Sequence, residues 1–183
     1  ASLITQKELV DATYSICNQT KLPVIVDADT GFGGPANVYR TVKDLENAGA
    51  SALVLEDQIF PKKCALTDQV LLLNLKEAKE RLYTAIQAAK ENKNILVIAR
   101  TDALTLGSMN ETLKRCLEYK KMGADAVFMT GLNTQKQLKI IRDHVKGIPL
   151  MLNITQNVKF HLKDVIKNKF KLALFSQQIL DGY

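Results

Sequence analysis

Val24-Ile25-Val26-Asp27-Ala28-Asp29-Thr30-Gly31-Phe32-Gly33-Gly34 runs from an apolar, strand-like segment into two carboxylates and then a glycine turn. Asp27 and Asp29 are two residues apart, so on a strand they point to the same face. Like charges so close repel unless a cation or a proton lies between them, and hard divalent cations take oxygen ligands. The alternative is that one Asp caps the turn while the other is solvated.

Outward from this stretch, short continuous apolar runs recur at Val24–Val26, Ala52–Leu55, Ile95–Ala99, Ala126–Met129, Ile148–Leu152 and Leu172–Phe175. Continuous rather than alternating, they read as strands buried on both faces. Helical stripes precede or separate them: Leu9, Ala12, Ile16 and Cys17; Val38, Val42, Leu45 and Ala48; Leu82, Ala85, Ile86 and Ala89; Leu113, Cys116, Leu117 and Lys120; and Val158, Leu162, Val165 and Ile166. Two junctions, AGASALVLED from Ala48 and MGADAVFMTG from Met122, each place a helix-ending glycine just before a strand. The order helix, Gly, strand at intervals of roughly 25 to 45 residues is that of consecutive βα units with parallel strands. A barrel and a doubly wound sheet both satisfy it, and both carry chemistry at the carboxyl ends of their strands.

At 183 residues the chain is long enough for one domain, spanning 1–183, with a sizeable core. With 46% hydrophobic and 24% charged residues it is ordinary for a globular protein, and no apolar run approaches the ~20 residues that span a bilayer. Its first residues do not resemble a signal peptide, so we expect a cytoplasmic protein, or one of an organelle matrix if a targeting segment has been lost. The net charge of +6 comes from lysines on helical segments without interleaved aromatics. That favours a solvated helix surface over nucleic-acid binding. Cys17, Cys64 and Cys116 cannot all pair and lack metal-ligand spacing, which fits a reducing compartment.

Polar residues gather at the strand ends: Asp27 and Asp29, Glu56 and Asp57, Arg100 and Asp102, Thr130, then Asn153 and Thr155. Such convergence marks an active site. Asp27, Asp29 and Glu56 make a cradle for Mg²⁺ held partly through water. Arg100 suits a bidentate grip on a substrate carboxylate, the alternative being an ion pair with Asp102 or Glu56. The long connection Gln58–Asn74 is placed over the strand ends as a lid. It carries Cys64 beside Lys62 and Lys63, where the thiol is expected to have a lowered pKa and to serve as an acid or base. Cys17 and Cys116 lie on apolar helix stripes and read as core, and His144 and His161 as structural.

The motifs VDADTGFGG, NVYRTVKDLENAGASALVLEDQIFPKKC, ARTDA and LNIT, in this order through nearly the whole chain, resemble the isocitrate lyase and phosphoenolpyruvate mutase superfamily, and within it the methylisocitrate lyase-like branch. The resemblance implies a (β/α)8 TIM barrel, Mg²⁺ (or Mn²⁺) as cofactor, small 2-oxo or 2-hydroxy carboxylic acids as substrates, and a homo-oligomer, a tetramer in the family's pattern. By motif, Asp27 would ligate the metal directly and Asp29 and Glu56 through water. Arg100 would contact substrate, with Gly33, Gly34, Thr130, Asn153 and Thr155 as further substrate-binding candidates. Cys64 matches the catalytic cysteine of the lyase gating loop. Mutase-type members carry an asparagine-containing loop there, so KKC favours the lyases. The implied reaction is a retro-Claisen or retro-aldol cleavage in which Cys64 protonates the departing carbanion.

The chain departs from the pattern in three ways. The lyase loop reads K-[KR]-C-G-H, whereas Cys64 is followed by Ala65 and Leu66; and Thr130-Gly131 stands where the lyases place a glutamate. Six strands are legible where the barrel needs eight, so the barrel is expected to be incomplete, lacking the first two strands and the C-terminal helices. An open sheet of this kind would expose two edges and part of its apolar interior. Three readings stand: a Mg²⁺-dependent carbon–carbon lyase, a phosphoenolpyruvate- or phosphonopyruvate-type enzyme of the same superfamily, and a non-catalytic relative.

Overall fold

A computed structural model describes residues 3–64 and 69–176. It shows α1 (Gln6–Cys17), β1 (Ile25–Asp27), α2 (Pro35–Asn47), β2 (Ala52–Glu56), α3 (Leu75–Asn92), β3 (Leu96–Thr101), a 3₁₀ turn (Ala103–Leu106), α4 (Met109–Met122), β4 (Ala126–Met129), α5 (Gln135–His144), β5 (Leu150–Asn153), α6 (Leu162–Lys167) and β6 (Leu172–Leu174). All neighbouring strands pair in parallel in the order β1-β2-β3-β4-β5-β6. The sheet is a curled, incomplete barrel of TIM type with six strands.

Strand pleating divides the side chains into two sets. Val26, Leu53, Leu55, Val97, Ala99, Val127, Met129, Leu150 and Leu152 face the helices and join the main core with Val38, Val42, Leu45, Leu82, Ile86, Leu138 and Ile141. Ala52, Val54, Ile98, Ala126, Phe128 and Met151 form a smaller cluster on the concave face. Ile25, Leu96 and Leu174 share the alternation of that second set and are exposed, as expected of an open sheet.

Helix boundaries follow their caps. Asn74, Ser108 and Thr134 each accept a hydrogen bond from the backbone of the third helical residue, in α3, α4 and α5 respectively. Gly123 closes α4 at φ +92°, and β4 follows three residues later. Three helix faces differ from the sequence pattern. In α1 the buried residue is Thr13, whose hydroxyl donates to the Leu9 carbonyl, while Ile16 is exposed and Cys17 is half-buried. In α4 the buried stripe is Thr112, Arg115, Cys116 and Tyr119, rotated from the apolar one because a buried carboxylate calls Arg115 and Tyr119 inward. Val158 lies before α6. That helix starts after His161, whose backbone N–H donates to the Asp164 carboxylate, and the Lys159 N–H is taken by the Asn133 carbonyl.

Candidate active site

The alternation that sorts the sheet also builds the site. Asp27, Glu56, Arg100 and Asn153 share the parity of the concave apolar set but stand at the carboxyl ends of β1, β2, β3 and β5. Asp29 arrives by a different route from the one its spacing suggests. β1 ends at Asp27, and Asp29 sits in a left-handed turn at φ +51°, a conformation Asp tolerates better than most residues. Its backbone N–H donates to Asp27 Oδ1 at 3.1 Å, and its carbonyl receives the Glu56 N–H at 2.9 Å. A turn, not a strand face, therefore brings the two carboxylates together.

Arg100 is the hub. Its Nε and Nη2 donate to Asp102 Oδ1 and Oδ2 at 2.9 and 3.0 Å, and its Nη1 lies 3.1 Å from Glu56 and 3.3 Å from Asp27. The guanidinium also lies over the Phe128 ring, 5.5 Å from its centroid. Both ion pairs weighed against a substrate role are thus present, and the forked edge is taken by Asp102. Lys62 pairs with Asp29 and, at 3.5 Å, with Glu56. Burial works against the Lys62 charge, but Asp27, Glu56 and Asp29 hold its pKa above the ordinary lysine value. Burial likewise raises Asp102, yet Arg100, Thr130 and Gln58 outweigh it and keep the carboxyl below its usual range.

Glu56 is the outlier. Burial pushes its carboxyl up to about 7 against the pull of Arg100 and Lys62, and neither oxygen accepts a hydrogen bond. Buried acceptors left this way call for another partner. As the side chains stand, no three His, Cys, Asp or Glu residues among those described converge as metal ligands, and the Lys62 ammonium pairs with both Asp29 and Glu56. The donor set itself is all oxygen, and Mg²⁺ keeps several waters and needs only one or two carboxylates. By donor chemistry, Asp27, Asp29 and Glu56 fit such an ion.

A cavity of about 600 Å³ opens here, lined by Asp27, Asp29, Lys62, Cys64, Arg100, Phe128, Thr130 and Asn153 among others. Gly33, Gly34 and Thr155 do not line it. Gly34 is the N-cap of α2 ahead of Pro35, with Gly33 just before it, and the Thr155 carbonyl accepts from Val158 in the loop after β5. Cys64 is exposed at the cavity and Cys116 is buried, its thiol pushed up to about 12 by burial and by Asp57. His144 ends α5 with its Nδ1 2.8 Å from the Ile140 carbonyl. Gln58 and Leu72 pair as an antiparallel bridge that closes the base of the long connection, whose Ala65 and Leu66 lie outside the described residues.

Sequence reasoning passed over the layer behind the site. Asp57, 3% exposed, accepts from Arg115 Nη1 at 3.0 Å, from the Tyr119 hydroxyl at 2.9 Å and from the Asp102 backbone N–H at 3.2 Å. Its signal was readable: Thr112, Arg115, Cys116 and Tyr119 lie at helical spacing opposite a strand-end acid.

Fold and site define a class, an open barrel of βα units with carboxylates, a guanidinium and a thiol around a cavity at the strand ends. The Phosphoenolpyruvate phosphomutase family pattern matches residues 1–171, and the chain belongs to that family, within the isocitrate lyase and phosphoenolpyruvate mutase superfamily. It is 38% identical over 154 residues to a 2-methylisocitrate lyase of Aeropyrum pernix, covering 84% of this chain and 49% of that protein. It is 36% identical over 148 residues to the 2,3-dimethylmalate lyase of Eubacterium barkeri, covering 81% and 51%. Among solved structures, 2,3-dimethylmalate lyase in its trigonal crystal form matches with a TM-score of 0.93 and 28% identity over 98% of this chain and 62% of that one. Phosphoenolpyruvate phosphomutase from Streptomyces platensis matches at 0.92 and 27%, over 100% and 64%. The chain spans about half the length of the curated relatives it matches.

Proposed function

We propose that this site takes a divalent magnesium or manganese ion and cleaves a carbon–carbon bond of a small 2-hydroxy carboxylic acid, releasing a 2-oxo acid. The observation that carries the reading is one cavity shared by Cys64, Arg100, Lys62, Asp27 and Asp29. The lyase names of the relatives support it. Asp27, Asp29 and Glu56 would hold the ion, which when bound supplies a positive charge that favours ionised substrate oxygens.

Arg100 and Lys62 place two permanent cations where a carboxylate substrate enters, and the aromatic face of Phe128 shields one side of the guanidinium from water. As the substrate hydroxyl gives its proton to solvent water, the C2–C3 bond breaks, C2 becomes a carbonyl and the electron pair leaves on C3. The Cys64 thiol then gives its proton to that carbon. Fixed charges facing the developing anion are the largest contribution to rate in such sites. Cys64→Ser tests the reading: with Mg²⁺ and a panel of 2-hydroxy dicarboxylic acids, 2-oxo acid release should fall by about 100-fold or more. Turnover that survives the change would remove Cys64 as the acid.

A further inference from the structure

Gln58 is 1% exposed, lies one residue beyond the Glu56-Asp57 strand end and touches no part of the cavity. Its Nε2 donates to Asp102 Oδ2 at 2.6 Å, and its Oε1 accepts the Lys63 backbone N–H at 3.0 Å. The amide orientation follows from the partners, since a carboxylate only accepts and a backbone N–H only donates. Asp102 is the residue that holds two nitrogens of Arg100, and Lys63 is the backbone neighbour of both Lys62 and Cys64. We infer that Gln58 is a positioning residue that fixes the Lys62–Cys64 segment against the Asp102–Arg100 pair, setting the distance between thiol and guanidinium.

Residue type supports this. An amide offers a donor at one end and an acceptor at the other: an ionised Glu of the same length could not donate to Asp102, and a Lys could not accept from Lys63. Lys62 is held on its own account by the ion pairs of its ammonium with Asp29 and Glu56, whereas the backbone that follows it is gripped by Gln58 through the Lys63 N–H. The bridge between Gln58 and Leu72, with the Ile59 N–H on the Leu71 carbonyl at 2.8 Å, secures the base of the connection. Arg100, by contrast, keeps its place without Gln58, because Asp102 also receives the Thr130 hydroxyl and its backbone N–H binds Asp57. Loss of Gln58 should therefore move the thiol and leave the guanidinium.

The role rests on the proposed lyase reading, and the test separates the two. Gln58→Met keeps length and apolar volume and removes both polar ends. In the whole chain with Mg²⁺, kcat for 2-oxo acid release should fall about 100-fold, as for a small misplacement of a reacting group, while KM stays within about threefold. In parallel, peptide-resolved alkylation by iodoacetamide should label the exposed Cys64 at a rate changed by about threefold or more, because thiolate reactivity follows the distance to the Arg100 and Lys62 charges, with Cys116 still protected. Cys116 protection is the folding control. If Gln58→Met exposes Cys116, Gln58→Asn, which keeps both polar atoms on a shorter arm, is read in the same way. A folded variant with unchanged Cys64 labelling overturns the inference, as does a KM that rises with kcat unchanged. If the unaltered chain cleaves none of the acids, the lyase reading fails, and the alkylation rates still decide whether Gln58 sets the position of Cys64.

Discussion

Replacing Arg115 with Met removes one half of a buried ion pair and leaves the other half behind. The two side chains are 5% and 3% exposed, with Nη1 3.0 Å from Asp57. Breaking a buried pair from one side costs about 3 to 5 kcal/mol, because the remaining charge has lost both water and its partner. The lower figure applies here, since Asp57 keeps the Tyr119 hydroxyl, the Asp102 N–H and the Thr101 hydroxyl. The Leu73 carbonyl also loses the Arg115 Nη2 donor at 2.8 Å, worth about 1 kcal/mol more. The expected loss is about 4 kcal/mol, on the order of 10 °C in Tm for a chain of this size. Urea unfolding followed by circular dichroism measures it. Asp57→Asn combined with Arg115→Met should cost less than the sum of the single changes by at least about 2 kcal/mol. A loss below about 1 kcal/mol for Arg115→Met, or strictly additive effects, would show that the pair does not tie α4 to the end of β2.

Glu56 supplies a pH test. Its carboxyl rises from an ordinary 4.5 to about 7 in the fold, so the folded state holds the proton more tightly. The stabilisation is complete below pH 4.5 and is lost as pH rises through 7, amounting to about 3 kcal/mol. Unfolding in EDTA at pH 5 and pH 8 should show that slope, and Glu56→Gln should flatten it; equal slopes in both proteins would contradict the burial argument. Mg²⁺ at about a hundredfold excess over its Kd should stabilise the chain by about 3 kcal/mol in a thermal melt, and Asp27→Asn should erase most of the shift, whereas an undiminished shift would exclude Asp27 as a ligand. Gly31→Ala should destabilise by about 2 kcal/mol or more, since the residue sits at φ +81° and a Cβ would lie 2.6 Å from the Val38 side chain; a neutral result in urea unfolding would mean the turn can re-form.

Much of the molecule was legible in one dimension because it rests on local rules. Buried parallel strands are continuous apolar runs, so all six were found, each shifted by no more than two residues at its ends. The clustering of Asp27, Asp29, Arg100, Cys64, Thr130 and Asn153 at one cavity follows from parallel strands having their carboxyl ends on one side. Charges that satisfy one another inside the protein were not legible. The α4 face was misjudged because a hydrophobic stripe assumes that arginine points to water, and Arg115 is drawn inward by an acid 58 residues away.

By itself, the sequence determined the order of βα units, the side of the sheet on which chemistry gathers and the residue types available there. Tertiary structure decided the partners. It put the fork of Arg100 on Asp102, Lys62 against Asp29 and Glu56, and Gln58 between Asp102 and the Cys64 segment. The physical reason is range. Strand and helix patterns are set by neighbours within a few residues, whereas an ion pair or a buried amide depends on which groups the curled sheet brings within about 3 Å.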